Sequence, residues 1–187
     1  MSGLLIHLIH GVTLLLSPTR GWREIMEEPY ELPPLVFYTV MLSTWAIFWR
    51  GLGRLLGPDS VGAALLDGVL YALMQLIIVL GVVVLVRGGR RLARRTLEEG
   101  DAGRLALYAS TPMWLLSIFQ AIPDERARGL ALLISLGYGC TLFFRGVPLI
   151  LNSEPVHTLA LSIVVSVFWV VASTSMVQVV LDVFVFL

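Results

Sequence analysis

The side chains able to do chemistry in this 187-residue chain are few, and most stand in apolar surroundings. Asp67, Gln75 and Gln120 fall within or beside long apolar runs, where a polar group is costly and requires a partner or a task. Asp67, Asp182, Arg50 and Arg54 are all expected near one membrane face, so a structural ion pair or snorkelling accounts for them. The sharper reading is an ion or proton site open to the exterior, on a polar path near Asp67, Gln75 and Gln120. His7 and His10 share one helical face, but two imidazoles without a third ligand make a weak metal signal. Arg90, Arg91, Arg94 and Arg95 repeat at i, i+4, and Glu98 and Glu99 continue both rows. Near an anionic leaflet each such arginine contributes about 1 kcal/mol, so the cluster fixes topology and can also hold lipid headgroups or a partner. The patch is too small and too closely tethered to a membrane to suit nucleic acid. Arg145 can snorkel along its helix, meet a lipid phosphate, or reach backbone freed by Pro112.

Other chemistries lack their residues. There is no nucleophile–base pair, glycine-rich phosphate loop, His-Glu metalloprotease spacing or pair of catalytic carboxylates. The expectation is a protein without enzymatic activity and without a cofactor. Cys140 stands alone, forms no intramolecular disulfide, and reads as a small buried residue.

The elements that must position these side chains are apolar helices. Hydrophobic residues make up 57% of the chain, charged residues only 14%, and the mean hydropathy is +0.87. Soluble domains carry about a quarter charged residues, so the solvent for this chain is lipid. Residues 4–16 are apolar, yet crossing takes about 20 residues. No arginine precedes them and no cleavage site follows before Ser17-Pro18. They read as an uncleaved short helix, in the membrane interface or against the bundle. Ser17 is placed to N-cap the next helix, with Pro18 at its first position.

Residues 1–33 therefore form a cytoplasmic and interfacial unit, and 34–187 a membrane domain. Its spans are expected at about 34–49, 61–86, 105–122, 129–151 and 156–181. The fold class is an all-α membrane protein, a five-transmembrane-helix bundle with a short interfacial N-terminal helix. In the third span Pro112 removes one helical hydrogen bond and exposes a carbonyl near Tyr108, which Ser110 and Thr111 can help to satisfy. Tyr108 to Trp114 reads as a packed kink, with a gate or ligand pocket as the alternative. Ser135 with Gly139, and Ser162 with Ser166, suit close helix approach. Trp45 and Trp49 fit an outer aromatic belt, whereas Trp114 and Trp169 fall mid-span and suit burial.

Arginine placement sets the orientation. With the N-terminus inside, inner segments hold nine arginines and outer loops four, namely Arg50, Arg54, Arg126 and Arg128. The expected arrangement is a cytoplasmic N-terminus and an exterior C-terminus in the cytoplasmic (inner) membrane.

Several pieces together resemble the Yip1-domain family. They are Ser17-Pro18 with Gly21-Trp22-Arg23-Glu24-Ile25, Tyr108-Ala109-Ser110-Thr111-Pro112-Met113-Trp114, and Tyr138 with Phe144-Arg145-Gly146-Val147. The resemblance implies five membrane helices, a cytoplasmic N-terminus and a very short exterior C-terminus. Eukaryotic members are associated with Rab-type GTPases and carry a long cytoplasmic tail. With about 33 residues before its first span, the chain resembles the prokaryotic branch, and the Rab connection is not carried over. The leading function is a membrane-embedded adaptor or membrane organiser, with lipids, anionic headgroups above all, as partners. The alternative is a small transporter, channel or lipid-translocating protein. Five spans barely enclose a pathway, so a homo-oligomer is compatible with either.

Overall fold

The structure, a computed structural model, describes residues 2–28, 31–57, 60–89, 100–122, 124–151 and 155–185. Among them every regular element is helical. They are α1 (Ser2–Leu16), α2 (Pro18–Glu27), α3 (Leu32–Leu55), α4 (Val61–Gly88), α5 (Asp101–Leu115), a 3₁₀ segment (Leu116–Ala121), α6 (Glu125–Leu151) and α7 (Pro155–Val185).

Four helices are long and apolar enough to cross a membrane: Leu32–Leu55, Val61–Gly88, Arg126–Leu149 and Pro155–Ser175. α5 is outside that set because it is short and rich in small and polar residues. It has no need of a lipid-compatible surface. From Asp101 to Trp114 every side chain except Gly103 is buried. α5 touches α3, α4 and α6, and α7 closes the ring by packing on both α4 and α6. Fifteen residues at about 1.5 Å and six 3₁₀ residues at about 2.0 Å give α5 and its continuation a length of about 34 Å, enough for a hydrocarbon core of about 30 Å. α5 is the axis of the bundle, solvated by protein instead of lipid.

The outer helices show how one apolar sequence serves two environments. On α4 the inward face is Ala64, Asp67, Gly68, Tyr71, Ala72, Gln75, Ile78, Val79, Val82 and Val86, at helical spacing. Leu65, Leu66, Val69, Leu73, Ile77, Leu80 and Val84 point outward. Small and polar residues mark the packed side, since both sides are otherwise apolar.

The α1–α2 hairpin lies along α3 and α6. Pro18 has no N–H to return to α1, which leaves late carbonyls of that helix open. The Tyr138 hydroxyl of α6 donates to one of them, Leu15 O, at 2.6 Å. Trp22 of α2 is fully buried, and its indole N–H donates to Leu142 O at 3.0 Å. Gly146 makes room for that ring, because a Cβ there would meet Trp22 Cε2 at 2.8 Å and Leu105 Cδ1 at 2.5 Å.

Three expectations are corrected. The first span does not stop at Trp49: α3 continues through Gly51-Leu52-Gly53-Arg54 to Leu55, because these glycines permit close packing and do not end the helix. A Cβ on Gly53 would overlap the Gln120 carbonyl of the 3₁₀ segment. The third helix starts at Asp101, so Arg104 belongs to the buried axis and not to a solvated loop. Ser17 makes no side-chain cap; its carbonyl accepts from Gly21 N–H at 2.8 Å. Of the two places open to the short N-terminal helix, α1 takes the one against the bundle: it turns His10 and Gly11 inward and leaves Leu5, Ile9, Val12 and Leu16 exposed, so its outer face is apolar. α2 is amphipathic, with Thr19, Arg20, Arg23 and Glu27 outward and Gly21, Trp22 and Ile25 inward.

Candidate functional site

Polar side chains gather at the two ends of α5. At the end formed by α3, α4 and the 3₁₀ segment, Arg50 is the hub. Its Nε donates to Asp67 Oδ2 at 2.7 Å and its Nη2 reaches Asp67 Oδ1 at 3.4 Å. Nη1 donates to Gln120 Oε1 at 2.8 Å. Arg54 Nε lies 3.4 Å from Asp67 Oδ2, and the Arg50 guanidinium sits 5.5 Å from the centre of the Tyr71 ring. Asp67 is completely buried. One carboxylate facing two guanidiniums, one of them bidentate, is a clasp joining three elements.

Asp67 and Gln120, expected on a common polar path, are thus brought together, but through Arg50. Gln75 lies eight residues further along α4, about 12 Å deeper, and its Oε1 has no hydrogen-bond partner among the described residues. Asp182 and Gln178 lie where no side chain is described.

At the other end, Arg104 is buried and caps α2. Its Nη1 donates to Ile25 O and Glu28 O, both at 2.8 Å, and its Nη2 is 3.9 Å from Asp101 Oδ1. These carbonyls close α2, where the helix dipole favours a cation. Next to Arg104, a small cavity is lined by His7, His10, Glu28, Glu31 and Tyr108. His7 Nδ1 is 2.6 Å from the Tyr108 hydroxyl, and His10 Nε2 is 3.6 Å from Glu28 Oε1. Burial, and then His10, hold the His7 imidazole below its ordinary pKa. Among the described residues no group of three His, Cys, Asp or Glu side chains could hold a metal ion.

The kink segment continues from this cavity. Tyr108 and Tyr38 have ring centres 5.4 Å apart, and the Tyr38 hydroxyl is 3.1 Å from Thr111 Oγ1. Ser110 and Thr111 donate to Ala106 O (2.5 Å) and Leu107 O (3.3 Å), the carbonyls preceding the one that Pro112 frees. Beyond Pro112 the helix tightens into its 3₁₀ continuation, where Ser117 Oγ donates to Trp114 O at 2.6 Å. Trp114 and Trp169 are fully buried. Every side chain from Tyr108 to Trp114 is buried, so the segment is packed on all sides.

Arg145 is exposed on α6, and its Nη1 donates to Thr19 Oγ1 of α2 at 3.1 Å. Arg90, Arg91, Arg94 and Arg95 lie outside the described residues. Ser135, Ser162 and Ser166 are buried, and Gly139 brings α6 close enough that a Cβ would lie 3.2 Å from Ala109 O. Sequence reasoning missed Arg104, grouped with a polar loop, and the pairing of His7 with Tyr108. The histidine spacing was visible, but nothing in it identified a tyrosine 101 residues away.

Comparison with family models matches residues 12–177 to the Yip1 domain. Comparisons with curated proteins and with solved structures give no match.

Proposed function

As the chain belongs to the Yip1-domain family, a family of membrane proteins, we propose that it acts without catalysis, as a membrane-embedded adaptor or membrane organiser. What supports this reading is the way the polar groups are used. Asp67 and Gln120 are both held by Arg50. Between Thr111 and Gln120 the described core is mainly apolar, with Leu42, Ala46, Met113 and Trp114 buried, and its buried hydroxyls are already engaged, Ser117 on Trp114 O and Ser173 on Met113 Sδ. A carrier or channel needs polar groups in succession across that depth. The partially satisfied Gln75, among the described residues, favours the transport reading.

The same proposal places the protein in the cytoplasmic membrane with α1 and α2 on the cytosolic side. Arg20, Arg23, Arg87, Arg104 and Arg145 lie at the end of the bundle that carries α2, and in the sequence Arg90, Arg91, Arg94 and Arg95 come directly after α4. Exposed Arg20, Arg23 and Arg145 give anionic headgroups a surface on which to settle.

The test is purification in native lipid with identification of bound proteins and lipids, alongside flux assays in reconstituted vesicles. The adaptor reading expects a stoichiometric protein or lipid partner, and no ion, proton or lipid flux above empty vesicles. Flux abolished by Asp67→Asn would establish the transport reading instead.

A further inference from the structure

The contacts between α1 and the bundle contain a titratable element that the adaptor reading does not use. α1 is held by Tyr138 on Leu15 O, by packing of Leu14, and by the 2.6 Å contact between His7 Nδ1 and the Tyr108 hydroxyl. Tyr108 is fully buried on the axis helix and has no second hydrogen-bond acceptor among its described contacts. Its phenol proton therefore needs the lone pair of Nδ1, which a neutral imidazole offers and an imidazolium does not. The charged and titratable groups facing this ring come from every neighbouring element. They are His10 on α1, Glu28 at the end of α2, Glu31 and Tyr38 on α3, and Arg104, Asp101 and Tyr108 on α5. Arg104 and His10 oppose a proton on His7, and the two glutamates favour it. The small cavity between these groups mixes titratable side chains with Ile25 and Leu35, and it lies at the α2 end of the bundle, on the cytosolic side in the proposed topology.

We propose that His7 and Tyr108 form a proton-operated latch: α1 is docked on α5 when His7 is neutral and is released when His7 takes up a proton. In the docked state His7 has a depressed pKa, so docking contributes stability above the unfolded value of 6.5 and loses it as pH falls through the depressed value. Release in acid exposes Tyr108, Gly11's contact surface on Tyr38 and the Arg104 cap to the membrane interface. The surface offered to a partner or lipid thereby changes with cytosolic pH. The latch stands on the α1–α5 contact alone, whatever partner the protein serves.

Hydrogen–deuterium exchange of the full chain in lipid nanodiscs at pH 7.5 and 5.5, corrected for intrinsic exchange, tests it. Residues 5–16 are expected to lose about tenfold in protection at pH 5.5, the factor carried by a buried hydrogen bond of this kind, while α4 keeps its own. His7→Gln retains an acceptor for the phenol without titrating, and should keep α1 protected at both values. Tyr108→Phe removes the phenol and should leave α1 equally protected at both. Unchanged wild-type protection, equal acid release in His7→Gln, or parallel loss in α4 would each overturn the proposal.

Discussion

Replacing Asp67 by Asn isolates the charge of the Arg50 clasp from its shape. The amide is nearly isosteric with the carboxylate, so no cavity forms, and one oxygen remains to accept from Arg50. What is lost is the negative charge facing two guanidiniums, in a position where Asp67 is completely buried and the Arg50 side chain is 14% exposed. Removing one partner of such a pair strands a charge in low dielectric, at a cost of about 3–5 kcal/mol. The double replacement Arg50→Met with Asp67→Leu removes both charges, and should recover most of that loss. Arg54 stays near the site and prevents complete recovery. Equilibrium unfolding in mixed micelles, titrated with a denaturing detergent, measures each variant, and the singles Arg50→Met and Asp67→Leu complete a double-mutant cycle. An Asp67→Asn cost below about 1 kcal/mol, or a double variant less stable than the single, would refute a clasp that holds α3, α4 and the 3₁₀ segment together.

Other perturbations read other parts of the structure. Gly53→Ala places a Cβ on the Gln120 carbonyl and should cost about 1–3 kcal/mol, whereas Gly137→Ala, with nothing within 4 Å, should be neutral or stabilising; the same unfolding assay compares them. Trp22→Phe keeps most of the buried ring but loses the bond to Leu142 O, and should cost about 1 kcal/mol; Trp22→Ala should cost about 3–5 kcal/mol. Arg104→Gln withdraws the charged cap from Ile25 O and Glu28 O, at about 1.5–3 kcal/mol, and limited proteolysis near residues 28–31 should accelerate.

The membrane class and most helices were legible because hydropathy is additive along the chain, and α4 and α7 are apolar over their described lengths. That Arg50, Arg54 and Asp67 share one depth was legible, but the sequence left an ion pair and snorkelling both open and did not choose Asp67 over Asp182 as the acid; the structure pairs both arginines with Asp67. The interior was harder to read. Lipid and protein core accept the same side chains, so composition alone could not separate the exposed Leu73 from the buried Val82, or show that α5 is sheathed. Arg104 looked like loop chemistry because burial of a guanidinium depends on carbonyls 76 and 79 residues away. The first span appeared to end before Gly51 and Gly53 because their role is tertiary: Gly51 faces the α4 backbone at Ala64, and Gly53 faces the 3₁₀ backbone at Gln120. The histidines of α1 carried no directional signal until the helix had something to dock against.

We propose that α5, though short and rich in small and polar residues, carries the chain across the bilayer inside a sheath of other helices. Single cysteines in a Cys140→Ala background, at Thr19, Gly57, Arg95 and Asp124, probed in intact cells with an impermeant thiol reagent, test it directly. Labelling of positions 57 and 124 from outside, with 19 and 95 reacting only after permeabilisation, is the predicted pattern. If 95 and 124 react from the same side, α5 does not cross, and the account fails.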